Sequence, residues 1–201
     1  MKLHWSPRSP YVRKVMVCAH ELGLAQRLTL VRSLAAFARP NPEIMVDNPL
    51  SKIPTLVLED GSTLFDSAVI CEYLDALVAG GLFPRDPERR WPALRWHALG
   101  DGMLDTLILW RFERERTAPA AELLAAFEIK IAAALGRLEA ESGALGAAPF
   151  SIGTIALACA LGYLDFRFES YAWRKSAPQL AAWHAPIVAR PSFVATEARE
   201  G

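Results

Sequence analysis

The chain has 201 residues, 52% of them hydrophobic and 22% charged. That apolar content is ordinary for a globular protein, and the length suits one large domain or two small ones. Its 22 Lys and Arg balance its 22 Asp and Glu, which excludes the basic excess usual in nucleic-acid partners but leaves room for a local site that takes a small anion.

The start, Met1–Pro7, shows no apolar signal region. No window reaches the ~18 consecutive apolar residues of a spanning helix, so no membrane partner is expected. Cys18, Cys71 and Cys159 lie far apart, with no CxxC pair. Such a sparse, odd set predicts a reducing compartment, most simply the cytoplasm.

Lys2–Trp5 is a short strand candidate, followed by a loop over Ser6–Ser9. Pro10 opens a helix whose apolar positions are Val12, Val15, Met16, Ala19 and Leu22, with Gly23 as its stop. Arg27–Arg32 reads as a second strand. Ser33–Asn48, with Pro40 and Pro42, is weakly patterned and predicts an irregular or short helical segment. Thr55–Leu58 and Thr63–Phe65 flank Asp60-Gly61, a hairpin signal in which both turn residues take positive φ. Ile70, Tyr73, Leu74 and Leu77 then mark one face of a helix.

Gly80-Gly81 and Pro84-Arg85-Asp86-Pro87 make the natural linker. Beyond it the patterns are helical: Trp91–Arg116, Ala121–Glu141, Ile152–Phe168 and Pro178–Arg190. Ile152–Leu164 is almost wholly apolar and predicts a buried core helix. Pro186 predicts a kink or early break in the last one. The fold class is therefore an α/β N-terminal domain, βαβ then ββα, over residues 1–79, a linker over 80–88 and an all-α domain over 89–201.

Three places carry chemistry. Proline at the first helical position makes Ser9 the cap of the first helix. A helix start stabilises an anion, and a thiolate held there by a hydroxyl titrates below the ~8.5 of free cysteine. The same serine serves equally as an ordinary cap. In Ser51-Lys52-Ile53-Pro54-Thr55, proline holds Ile53 extended. Ile53 can then offer its backbone to an extended peptide, or Pro54 can simply open an edge strand. Asp66-Ser67 opens the helix after the hairpin. It is either a plain cap or a holder of an amino-acid head group, Ser67 for the carboxylate and Asp66 for the ammonium.

Ser9-Pro-Tyr-Val-Arg-Lys14, Lys52-Ile-Pro-Thr-Leu56 and Phe65-Asp-Ser-Ala-Val-Ile-Cys-Glu-Tyr-Leu74 together resemble the glutathione S-transferase superfamily, in its serine-type, YibF-like bacterial form. The run Ile155–Phe168 and the ending Arg190-Pro-Ser-Phe193 carry the resemblance through essentially the whole chain. It implies a thioredoxin-like first domain, a helical second domain and a homodimer. It also implies an enzyme that conjugates glutathione, as co-substrate, to small hydrophobic electrophiles in detoxification. Other glutathione-dependent reactions (isomerisation, dehalogenation, peroxide reduction) and a non-catalytic glutathione-binding or interaction role remain as alternatives.

By the same resemblance, Ser9 donates to the glutathione sulfur, with Ser6 as its competitor. Ile53 and a cis Pro54 pair with the cysteinyl backbone, and Asp66 and Ser67 hold the γ-glutamyl head. Lys52 reaches the glycyl carboxylate or stays a surface lysine. The electrophile would lie against Trp5, Arg8 and Tyr11 from the first domain and Leu104, Leu107 and Phe112 from the second. No histidine pair has metal-ligand spacing, and no metal is expected. One departure stands out: the family's central helix usually opens with a capping box ending in aspartate. Here Ser151-Ile-Gly-Thr154 puts threonine there, which predicts a weaker cap, by about 0.5–2 kcal/mol.

Overall fold

The computed structural model describes residues 1–200, which divide into one unit of residues 1–90 with 191–200 and a second unit, Trp91–Arg190. In the first, β1 (Lys2–Trp5), β2 (Thr29–Arg32), β3 (Thr55–Val57) and β4 (Thr63–Leu64) form one sheet in the order β2-β1-β3-β4. β1 and β2 are parallel, so a crossover must join them. That crossover is α1 (Pro10–Glu21), with a single 3₁₀ turn at Ala25–Arg27. β3 is antiparallel to both β1 and β4.

α1 closes at Gly23, whose φ of 69° lets Leu24 N donate to Ala19 O and Gly23 N to His20 O. This is a Schellman cap, in which glycine takes the left-handed position at no steric cost. The weakly patterned stretch yields α2 (Pro42–Asp47), capped by Asn41 through Glu43 N. α3 (Ser67–Val78) packs beside α1. Val12 and Val15 from α1, Ile70 and Leu74 from α3, and Leu3 and Leu56 from the sheet are buried. Alternate strand positions and helical spacing thus meet in a single core.

The hairpin between β3 and β4 differs from the expected turn. Gly61 has positive φ and Asp60 does not. Gly61 N donates to Leu58 O, and Leu58 N to Ser62 O. Glu59, Asp60 and Gly61 therefore form a three-residue loop with a glycine bulge, which needs only one left-handed residue. Asp60 instead accepts from Ser62 N and Ser62 Oγ, and these bonds hold its carboxyl below the usual range.

The expected linker is held by one side chain. Asp75, buried near the end of α3, accepts from Leu82 N at 2.8 Å and Phe83 N at 3.1 Å. The last residues also depart from expectation. α9 (Pro191–Ala195) packs on α1, where Arg13 donates to Phe193 O and Ser192 Oγ to Glu21. Residues 191–200 therefore belong with the first unit rather than with the helical domain.

α4 (Pro87–Arg114) starts earlier than the apolar pattern alone predicts, because Asp86 precedes a proline at the first helical position and accepts from Glu88 N. The helical unit continues with α5 (Ala121–Ala140), α6 (Ser142–Ala147), α7 (Ile152–Arg167) and α8 (Pro178–Val188). Single 3₁₀ turns lie at Glu169–Tyr171 and Trp173–Lys175. Twelve of the sixteen residues of α7 are buried, as expected of a helix apolar on every side. α8 runs through Pro186 and stops two residues later. No helix among the described residues is long and apolar enough to cross a membrane. Cys18, Cys71 and Cys159 are buried and form no disulfide among the described residues.

Glycine sets how closely α4 and α7 approach. A Cβ on Gly153 would lie 2.6 Å from Ala93 O, and one on Gly100 2.7 Å from the Ala156 carbonyl carbon. Overpacking of this kind costs about 1–3 kcal/mol. Gly153→Ala should lower urea stability by that amount. Gly102→Ala, in α4 with open space at its Cβ, should instead gain up to ~1 kcal/mol from helix propensity.

Glu141 ties α4, α5 and α6 together. It accepts from Arg95 Nη2 at 2.6 Å, Trp96 Nε1 at 2.9 Å and Arg137 Nε. These donors, Arg95 first, lower its carboxyl from 4.5 to about 2. A depressed carboxylate stabilises the fold above its unfolded value, and that contribution is lost as pH falls from 4.5 toward about 2. Acid unfolding followed by circular dichroism should be steep in this window and flatter in Glu141→Gln.

Candidate functional site

The sheet register gathers the three chemical motifs at one edge of the first unit. β1 ends at Trp5 and leads into the Ser6–Ser9 loop and α1. β3 runs the other way, with Thr55 opposite His4, so its start, Ile53-Pro54, lies at the same end. β4 reverses again, with Leu64 opposite Leu56, and delivers Asp66 and Ser67 there. Neighbouring strands are about 4.8 Å apart, so about 10 Å separates the β1 end from the β4 end.

At the first position, Ser9 caps α1. Its Oγ accepts from Val12 N at 3.3 Å, in an extended backbone that puts Pro10 at the first helical turn. That bond uses a lone pair and leaves the hydroxyl proton undirected toward any described residue. Capping and donating to a ligand are therefore compatible. Ser6 is more buried and accepts from Arg8 N at 3.5 Å.

At the second, the Ile53–Pro54 peptide bond is cis. Among the described residues, neither backbone group of Ile53 has a hydrogen-bond partner. The loop that carries it is fixed by Asn48, which is only 1% exposed. Its Nδ2 donates to Lys52 O and Thr55 Oγ1, and its Oδ1 accepts from Leu50 N. Thr55 Oγ1 in turn donates to Lys52 O. Lys52 itself is exposed.

Asn48 and Thr55 were not singled out from the sequence. The Asn48-Pro49 pair was the available signal, since Asn before Pro marks a turn. One residue earlier, Asp47 ends α2 and bonds Lys2 Nζ at 2.7 Å and His4 Nε2 at 2.8 Å. The hydrogen bond to His4 and then that to Lys2 lower its carboxyl pKa. They also offset the cost of an anion at a helix C-terminus, and fasten α2 to β1.

At the third, Asp66 is the cap of α3 and accepts from Ala68 N at 2.9 Å. The Phe65–Asp66 peptide bond is also cis. Asp66 is exposed, whereas Ser67 is 2% exposed and its hydroxyl has no partner among the described residues. The N–H groups of the first turn of α3 are free of intrahelical partners, as at any helix start.

The other expected residues divide between the units. Trp5, Arg8 and Tyr11 are half-buried near the β1 end of the sheet. The Arg32 guanidinium lies 5.7 Å over the Trp5 ring, and Arg8 lies 3.9 Å from Glu200. Leu104 and Leu107 sit fully buried inside the helical unit. Phe112 is half-buried there, with Arg111 4.6 Å over its ring.

Two family models match the chain: the glutathione S-transferase N-terminal domain over residues 8–77 and the C-terminal domain over 121–185. The chain belongs to the glutathione S-transferase superfamily. It is 36% identical to the GST-like protein YibF of Escherichia coli (strain K12), over 98% of each chain. It is also similar to a glutathione transferase family member from Pseudomonas fluorescens Pf-5, solved with bound glutathione. That match has 45% identity, 99% of both chains covered and a TM-score of 0.94. A glutathione S-transferase from Methylobacillus flagellatus KT, also with glutathione bound, matches at 34% identity and TM-score 0.87, over 98% of this chain and 99% of the other. The expected thioredoxin-like and all-helical architecture is that of this superfamily.

The Asn48 network yields a prediction that needs no ligand. Asn48→Ala removes a buried side chain that satisfies Lys52 O, Leu50 N and Thr55 Oγ1. Loss of such bonds costs about 1–3 kcal/mol, which urea unfolding should register. Hydrogen exchange should rise first in residues 48–55.

Proposed function

We propose that this protein binds glutathione along the sheet edge and uses Ser9 to stabilise its thiolate for transfer to a small hydrophobic electrophile. The observation that carries the reading is the co-location of three unsatisfied hydrogen-bonding sets. These are the Ser9 hydroxyl at the start of α1, the open backbone of Ile53, and the buried, unpartnered Ser67 hydroxyl at the start of α3. The span of about 10 Å across β1, β3 and β4 matches the reach of an extended tripeptide, at about 3.5 Å per residue.

Each part of the tripeptide then meets its chemical complement. The γ-glutamyl carboxylate takes the Ser67 hydroxyl and the free amides of α3, while its ammonium pairs with the exposed Asp66 carboxylate. The cysteinyl N–H and C=O pair with Ile53 across the edge beside Pro54. Lys52, an exposed cation on the same loop, is within reach of the glycyl carboxylate. The sulfur comes to the start of α1. There the helix amides and the Ser9 proton favour the thiolate over the thiol. Ser9 acts by electrostatic stabilisation and not as a base, because a serine hydroxyl does not take up a proton at neutral pH. The thiolate attacks the electrophilic carbon and forms the C–S bond as the leaving group departs or the adjacent π-bond shifts. Trp5, Arg8 and Tyr11, half-buried beside that helix start, are the first-unit residues that would contact the electrophile.

Calorimetric titration with glutathione tests the binding half, and thiolate absorbance against pH tests the catalytic half. Ser67→Ala should weaken glutathione binding about ten-fold or more, in line with a lost bond to a charged group. In the wild type the bound thiol should titrate below ~8.5. Ser9→Ala should raise that value by about 1–2 units, since one unit is about 1.4 kcal/mol and the lost bond is worth about 1.5–3 kcal/mol. Absence of binding to the wild type at millimolar glutathione rejects the whole reading. Binding with an unshifted thiol in Ser9→Ala rejects the role of Ser9 alone.

A further inference from the structure

Positive charge is concentrated at the start of the chain. Residues 1–41 hold seven Lys and Arg and one acidic residue, Glu21, in a chain whose 22 basic and 22 acidic residues balance. Some of these cations are committed elsewhere: Lys2 pairs with Asp47, and Arg13 donates to Phe193 O. Arg8 and Arg32 are not. Arg32 is exposed at the end of β2, and its side chain has no carboxylate partner among the described residues. Arg8 is half-buried in the Ser6–Ser9 loop and lies 3.9 Å from Glu200. That distance is the outer limit of an ion pair, and Glu200 is itself exposed, so the contact contributes little.

The β1–β2 register sets both cations beside one aromatic ring. Trp5 is the register partner of Arg32, so their side chains leave the same face of the sheet, and the Arg32 guanidinium lies 5.7 Å over the Trp5 ring. It is the face of Leu3, two residues earlier, which is buried under α1. Arg8 comes three residues after Trp5 and directly before Ser9, the cap of α1. The glutathione reading uses neither cation. The two carboxylates of glutathione fall to Ser67 with the α3 amides and to Lys52, and its ammonium to Asp66.

We infer that the electrophile carries a carboxylate close to its reactive carbon, and that Arg8 and Arg32 hold this group while the apolar part lies on Trp5. The inference rests on the glutathione reading and narrows its electrophile. A thiolate and an anionic electrophile repel each other, and two guanidiniums beside the reacting pair offset that repulsion. A neutral electrophile gains nothing from them. For a haloalkanoate the step is a displacement. The thiolate sulfur forms a bond to the carbon that bears the halogen, and the carbon–halogen bond breaks with its electron pair leaving on the halide. The carboxylate keeps its charge throughout, so the same cations hold it from encounter to product. Arg8 and Arg32 thereby set specificity, and Ser9 keeps its role at the sulfur.

The test has a binding arm and a kinetic arm. In calorimetry, S-(carboxymethyl)glutathione should bind the wild type about ten-fold or more tightly than S-(carbamoylmethyl)glutathione, whose amide has the same shape and no charge. The difference should vanish in the Arg8→Gln, Arg32→Gln double variant and persist in large part with lysine at both positions, with circular dichroism checking the fold. In turnover, the rate enhancement over the spontaneous reaction should be larger for bromoacetate than for bromoacetamide. That preference should shrink with added salt, and in the glutamine variants it should fall mainly through KM for bromoacetate. Equal binding of the two conjugates by a wild type that binds glutathione overturns this inference and leaves the glutathione reading standing. So does a preference that survives in the double glutamine variant. A wild type that binds neither glutathione nor either conjugate overturns both.

Discussion

Antiparallel pairing of β3 with β1, and of β4 with β3, places the end of β1, the start of β3 and the end of β4 at one edge of the sheet. Every feature of the candidate glutathione site follows from that edge. A parallel β3 would send Ile53-Pro54 to the opposite end, some three residues or about 10 Å away. The serine at the head of α1 would then stand alone as an ordinary cap. The ladder is short, with two to four residues in each strand, so the surrounding helices and loops must hold the register. α1 and α3 do so by burying Val12, Val15, Ile70 and Leu74 beside Leu3 and Leu56.

Around this edge, buried polar side chains organise backbone that belongs to no regular element. Asn48 and Thr55 fix the loop before β3, Asp47 with His4 and Lys2 ties α2 to β1, and Asp75 holds the segment after α3. Asn48, Thr55 and Asp75 satisfy amides or carbonyls that lack partners in a helix or sheet, and such groups are costly to leave unpaired. The open backbone of Ile53 and the free hydroxyl of Ser67 are exceptions to this economy. They occur where a peptide ligand would restore the missing bonds.

Helices and their caps were readable in the sequence because their signals are local. Proline at the first turn marks α1 and α8, and Gly23 marks the end of α1, whereas Pro87, which opens α4, read as part of the linker. The apolar run of α7 foretold its burial. The hairpin was legible as a hairpin, but its turn type was not, because Asp-Gly also fits a three-residue bulged loop. α9 was expected with the helical domain, whereas its attachment to α1 depends on Arg13, Glu21, Ser192 and Phe193 meeting across more than 170 residues of chain. No local pattern encodes such a meeting.

Ser9, Ile53-Pro54 and Asp66-Ser67 could be named as chemically capable residues from the sequence alone, since capping, extended backbone and paired charge are properties of short segments. The sequence also determined the order of strands and helices. Tertiary structure decided which of those segments share an edge, which hydroxyls remain without partners, and how closely α4 and α7 approach at Gly100 and Gly153. It also decided that Asn48 supports the loop before β3. The physical reason is that unsatisfied polarity and close packing belong to pairs of groups distant in the chain. Their cost or benefit exists only once the fold has brought those groups together.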